Sequence, residues 1–166
     1  MLMVRILAYC DGSNFVGFGS GAGVYIEWDL LGQKMAPWKQ FVVPLHPTNT
    51  NNEAEYHAVI AALEAFRDLV ASQKSLGKGA WLQADNTKFV IYSDSQLVIR
   101  QVNGDYKTRK REMKALKLQV DRLRLELKEY DISFIHLPRE QNEKADKLAR
   151  IGSLFSQADN PTHSNG

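Results

Sequence analysis

Cysteine is almost missing from this chain. With Cys10 as its single thiol no internal disulfide can form, and a reducing, cytoplasmic setting is the expectation. No apolar run approaches the roughly 18 residues a membrane span needs, so no membrane partner is expected. The apolar opening, Met1 to Cys10, carries Arg5 mid-run and leads straight into Asp11-Gly12, which reads as a strand rather than a signal peptide. An excess of one charge is also lacking: 21 basic and 19 acidic residues leave +2, so the total points to no partner. No His/Cys cluster suggests zinc, and no Gly-x-Ser-x-Gly or Cys-His arrangement supplies a covalent nucleophile. The glycine-rich stretch Gly12 to Gly23 is followed by the strand-like Val24-Tyr25-Ile26-Glu27-Trp28 rather than by Gly-Lys-Ser/Thr and a helix. That excludes a phosphate loop and predicts a connection between antiparallel strands.

What is present fits one domain. The chain has 166 residues, 44% of them hydrophobic, enough for a core. Strands are predicted over Val4–Cys10, Val24–Trp28 and Trp38–Pro44, with a turn at Leu31-Gly32-Gln33. Thr50-Asn51-Asn52-Glu53 has the form of a capping box. It opens a helix in which Tyr56, Ile60, Leu63, Phe66 and Val70 recur at helical spacing and which fades in Ser72–Gly79. A strand over Lys88–Ser93, a short helix over Ser95–Val102 and a longer helix to about Glu129 follow. The stripe Met113, Leu116, Val120, Leu123, Leu127 suits packing on the same core better than a coiled coil, since it spans barely two heptads. Ile132–His136 is the last strand, Pro138 breaks it, and Glu140–Ile151 is the last helix. The fold class is α/β: a five-stranded mixed sheet, three strands antiparallel and two added in parallel, with helices on both faces. The domain is placed at 1–154, and the Ser-, Asn- and Pro-containing tail 155–166 is expected to be disordered.

Four acids recur in matching settings: Asp11 after the first strand, Glu55 in the first turn of the capped helix, Asp94 after the fourth strand and Asp146 in the last helix. Each has an ordinary explanation. Asp11-Gly12 is turn chemistry, Glu55 favours a helix N-terminus, Asp94 can cap the helix that begins at Ser95, and Asp146 can pair with Arg150. Those explanations do not account for the ordered set. If the first and fourth strands are parallel neighbours, Asp11 and Asp94 leave one edge of the sheet, where open α/β sheets place ligands. Carboxylates so gathered raise one another's pKa, and hard divalent cations relieve this. Two such ions about 3.5–4 Å apart can activate a water and stabilise the leaving oxygen of a phosphodiester.

The four motifs together resemble type 1 ribonuclease H. They are Asp11-Gly12-Ser13 after a first strand, Thr50-Asn51-Asn52-x-x-Glu55 opening the first helix, Ser93-Asp94-Ser95-Gln96 after the fourth strand, and Asn142-Glu143-x-x-Asp146 near the end. The resemblance covers roughly residues 4–152. It implies metal-dependent cleavage of the RNA strand of RNA/DNA hybrids, leaving 5′-phosphate and 3′-hydroxyl ends. Mg2+ (two ions with substrate) or Mn2+ would be held by Asp11, Glu55, Asp94 and Asp146. Asn spacing selects Glu55 over Glu53. The resemblance further implies hybrid contacts from Ser13, Thr50, Asn51, Asn52 and Gln96, short polar groups able to reach base edges and 2′-hydroxyls. It also offers His136, ten residues before Asp146, as an aid to proton transfer or product release; its other reading is a strand-end histidine.

This sequence departs from typical bacterial members in two ways. Asn14-Phe15-Val16-Gly17 replaces an Asn-Pro-Gly turn, and only Asp105–Arg111 separates two helices where a basic protrusion would stand. The layout is similar to that of the archaeal and other handle-less branches. Charge is nonetheless uneven: Lys107 to Arg124 holds eight Lys/Arg against Glu112 and Asp121, an excess of six. Arg109, Lys110, Arg111, Lys114 and Lys117 are therefore candidates for DNA phosphates, set against a merely solvated helix face. A monomer is expected. The rival readings are another nuclease on the same fold, a non-catalytic nucleic-acid-binding module, and a coiled-coil protein built on Met113–Leu127.

Overall fold

The structure, a computed structural model, describes residues 3–15, 19–30, 33–77 and 80–156. β1 (Val4–Phe15), β2 (Gly19–Leu30) and β3 (Gln33–Leu45) form an antiparallel meander, followed by α1 (Asn51–Lys74). β4 (Thr87–Ser93), α2 (Gln96–Val102), α3 (Arg111–Glu126), β5 (Asp131–His136) and α4 (Glu143–Leu154) complete the order, with a 3-10 turn over Arg139–Gln141 before α4. The sheet runs β3-β2-β1-β4-β5. β4 lies parallel to β1, and β5 parallel to β4. The predicted α/β class, with three antiparallel and two parallel strands, is the observed one.

Strand alternation divides the sheet's two faces. Ile6, Ala8 and Cys10 of β1, with Ala22, Val24 and Ile26 of β2, face α1 and form one core with its apolar stripe. Within it Phe66 of α1 stacks on Phe89 of β4, ring centroids 4.1 Å apart. Met113, Leu116, Val120, Leu123 and Leu127 are all buried in the same cluster, so the α3 stripe is core and not a coiled-coil seam. α4 packs on the opposite face, against β1, β2 and β3.

The glycine-rich stretch departs from expectation. It is predicted as a connection, yet Gly12–Phe15 and Gly19–Gly23 are paired strand, in register Gly12↔Ala22 and Phe15↔Gly19. Its glycines serve helix approach. A Cβ on Gly23 would stand 2.4 Å from the Ala149 nitrogen, and one on Gly21 2.3 Å from that of Ser153, so α4 lies directly on β2 backbone. Part of the predicted Leu31-Gly32-Gln33 turn lies outside the described residues, and Gln33 already belongs to β3. α3 stops at Glu126, short of Glu129. The last helix starts at Glu143 rather than Glu140, because Pro138 is followed by the tighter 3-10 turn. Beyond Ser156 the expected tail lies outside the described residues. The Ser156 hydroxyl itself donates to the Leu45 carbonyl and accepts from Ser20 N–H.

Candidate metal centre

The parallel pairing of β1 and β4 ends at Cys10↔Ser93. The next residue on each is an acid, so Asp11 and Asp94 leave one sheet edge side by side. β1 itself runs on, with Asp11 paired to Gly23. Asp11 thus sits inside a strand, not at its end as the sequence suggests. The third acid arrives on α1. Thr50 caps that helix by accepting from Glu53 N–H, and Glu53 reaches back to Thr50 N–H, so the capping box forms as expected and Glu53 is spent on it. A Cβ at Gly12 would stand 2.2 Å from both the Ala54 carbonyl carbon and the Glu55 nitrogen. Only glycine lets the first turn of α1 settle there, and that close approach brings Glu55 down beside Asp11.

One carboxylate oxygen from each of Asp11, Glu55 and Asp94 lies within 4.8 Å of the others. Asp11 is 4% exposed. Burial first, and the Asp94 and Asp146 charges after it, push the Asp11 carboxyl up to about 8. Burial and the Asp11 charge raise Glu55 well above its ordinary value. Asp94 is raised too, chiefly by burial, with the Arg139 guanidinium pulling the other way. Gly12 N–H donates to Asp11 Oδ1 at 3.0 Å, and Ser93 Oγ lies 3.5 Å from Glu55 Oε2. Three gathered, partly desolvated carboxylates with few donors of their own are the oxygen-only, negatively charged set that suits magnesium or manganese.

Asp146, in the first turn of α4, stands outside that threesome but close enough for its charge to raise Asp11. Arg150 Nε is 3.1 Å from its Oδ2, and Arg139 Nη2 3.9 Å from its Oδ1. The ordinary pairing with Arg150 therefore exists alongside proximity to the cluster. The alternative role for Asp94 does not hold: Ser95 caps α2, accepting from Val98 N–H.

The family model described as RNase H matches residues 4–153. The chain belongs to the RNase H family. Ribonuclease HI of Halobacterium salinarum (strain ATCC 700922 / JCM 11081 / NRC-1) is 34% identical to it over 100 residues, 60% of this chain and 42% of that protein. The matched part of the chain thus spans less than half the length of this curated relative. The crystal structure of RNase H1 from the halophilic archaeon Halobacterium salinarum NRC-1 superposes with a TM-score of 0.63 at 30% identity, covering 89% of this chain and 96% of that one. LC11-RNase H1, crystallised in complex with an RNA/DNA hybrid, gives a TM-score of 0.64 at 28% identity over 88% and 94% of the two chains.

The other residues singled out in the sequence of this RNase H chain are placed as follows. Asn51 Oδ1 accepts from Asn14 N–H at 3.0 Å, tying the start of α1 to the end of β1 beyond Ser13. Asn52 is the second residue of α1, and Gln96, exposed, is the first of α2. Arg109 and Lys110 are exposed just before α3, and Arg111 is its first residue. His136 is exposed at the end of β5 and paired with Ser93, so in register it precedes Asp94 by one residue. Sequence reasoning missed Arg139. The 3-10 turn after Pro138 carries its guanidinium to Asp146 and into the field of Asp94. Its only signal in sequence is its place seven residues before Asp146, without meaning until the turn is known.

Proposed function

We propose that this chain is a divalent-metal-dependent endoribonuclease that hydrolyses the RNA strand of RNA/DNA hybrids by a two-metal mechanism, leaving 5′-phosphate and 3′-hydroxyl ends. The observation that carries this reading is the Asp11, Glu55, Asp94 cluster within 4.8 Å, in a chain of the RNase H family with a solved relative bound to a hybrid. Asp11, Glu55, Asp94 and Asp146 would hold magnesium, with manganese as a substitute. Bound there, the ions offset the gathered negative charge and supply an activated water for attack on a phosphodiester.

The remaining chemistry belongs to the chain. Asp11 and Asp94 are the most direct ligands because both leave the sheet at one edge. Glu55, rigidly seated on Gly12, orients the attacking water on the side of the RNA 2′-hydroxyl. His136 takes or returns a proton at the rim. Ser13, Thr50, Asn51, Asn52 and Gln96 line the approach to the minor groove, where a 2′-hydroxyl distinguishes RNA from DNA. Arg109, Lys110 and Arg111, with Lys114 and Lys117, hold DNA phosphates in place of a basic protrusion. The chain acts as a monomer in the cytoplasm. Among the described residues no helix is long and apolar enough to cross a membrane.

The test is cleavage of an end-labelled RNA/DNA hybrid in magnesium and then manganese, with Asp94→Asn run beside the unaltered protein and with double-stranded RNA and single strands as competing substrates. Hybrid-only cleavage, lost in the variant, is expected. A folded protein that cuts nothing with either metal would leave a binding module on this fold.

A further inference from the structure

Asn142 begins the motif that ends in Asp146, and its side chain does not do what an asparagine there usually does. At the residue preceding α4 it would ordinarily accept from the helix's first free N–H groups. Here it makes no cap hydrogen bond. Its side chain turns into the sheet instead. It is 1% exposed, Nδ2 donates to the Cys10 carbonyl at 2.8 Å, and Oδ1 has no partner among the described residues. A lost cap and a buried acceptor without a partner are both unfavourable. Stability of α4 alone does not explain that arrangement.

The hydrogen bonds on either side of it point to what it does. The Cys10 carbonyl belongs to the residue just before Asp11, where the pairing of β1 with β4 ends. The Asn142 carbonyl accepts from Asp146 N–H at 3.0 Å. One residue thus joins the backbone that carries Asp11 to the backbone that carries Asp146. These acids come from elements remote in sequence, and the Asn142 amide ties their backbones together directly. An aspartate at 142 has no donor for the Cys10 carbonyl, and a serine lacks the reach. The amide is what the join requires.

The geometry points to Asn142 as a positioning residue that fixes the spacing between Asp11 and Asp146 for divalent metal. This rests on the reading of those acids as metal ligands given above. Outer partners of metal ligands commonly cost 10–100-fold in metal affinity when removed.

The experiment compares the unaltered protein, Asn142→Ala, Asn142→Ser and a control, Val120→Ala, which cuts a fully buried side chain in α3. Each is checked for folding by circular dichroism. Manganese binding to the metal-free protein is then measured by calorimetry, and hybrid cleavage is followed across a magnesium series. Asn142→Ala is expected to bind manganese about 10-fold more weakly and to need correspondingly more magnesium for half-maximal cleavage. Val120→Ala should lower the melting temperature and leave metal affinity unchanged. Asn142→Ser should behave as the alanine variant and decides the matter if that one does not fold. Undiminished manganese affinity in a folded Asn142 variant would overturn the inference and leave a purely structural role. Manganese binding without hybrid cleavage in the unaltered protein would sink the ribonuclease reading while the affinity comparison still decides Asn142; no manganese binding at all would overturn both.

Discussion

Burial and the neighbouring acids hold the Asp11 carboxyl at about 8 without metal, so the cluster keeps a proton at neutral pH. Metal must displace that proton. Manganese affinity is therefore expected to rise as pH increases toward about 8, with proton release visible as a buffer-dependent heat; a pH-independent affinity would contradict it. The same shift bears on folding. Because the folded-state pKa is raised, the folded protein binds this proton more tightly than the unfolded chain. The resulting stabilisation is complete below the ordinary carboxylate range and lost as pH rises through about 8. Asp11→Asn should therefore stabilise the metal-free protein at pH 8 by about 1–2 kcal/mol, less than the whole shift implies because the acids share the strain. Urea denaturation at pH 8 and pH 4 checks this: the gain should vanish at the lower pH. Arg139 is the other residue with a specific expectation. Its side chain is 72% exposed yet reaches Asp146. Arg139→Ala should leave the melting temperature within a degree or so and lower the maximal hybrid-cleavage rate about 10-fold, less than loss of a buried oxyanion donor.

Among the elements, those with strong local chemistry could be read from sequence. The Thr50/Glu53 capping box, the α1 stripe and the α3 stripe form where periodicity and capping put them. The antiparallel pairing of β1 with β2 was expected, but not that it runs on through the glycine-rich stretch. Its glycines look like a loop because their purpose is the close approach of helices that sequence does not show. The prediction at this scale is Gly12→Ala. A methyl group there meets α1 backbone, not a side chain that can swing away, so helix and strand must part. A loss of about 2–4 kcal/mol in urea denaturation is expected, with cleavage reduced further than the folded fraction explains, because Glu55 moves with α1. The start of α4 differs from its expected place for a related reason. Pro138 marks a break but does not say whether a 3-10 turn or an α-turn follows, and that choice decides where Arg139 points.

At the scale of the molecule, the division into three antiparallel and two parallel strands and the meeting of Asp11, Glu55 and Asp94 were legible in the sequence. The offset position of Asp146, its two arginines and the inward turn of Asn142 were not, since each depends on how α4 is seated. Charge distribution yields the last expectation. Arg109, Lys110 and Arg111 are exposed together near the start of α3. Replacing all three with alanine should lower hybrid affinity and flatten the log–log salt slope by about 2–3, since each DNA phosphate that a cation neutralises releases roughly one counterion. An unchanged slope in fluorescence-anisotropy titrations would make them a solvated face.

Gly12 and the pair Gly21 and Gly23 lie on opposite faces of one hairpin, and α1 and α4 each bear on it through main chain. The interval between the helices that carry Glu55 and Asp146 is then a single thickness of polypeptide. No rotamer enters that dimension. Substitutions elsewhere in the core can accumulate without changing the gauge to which both acids are set, and a sequence free to drift everywhere else would still have to keep the hairpin bare.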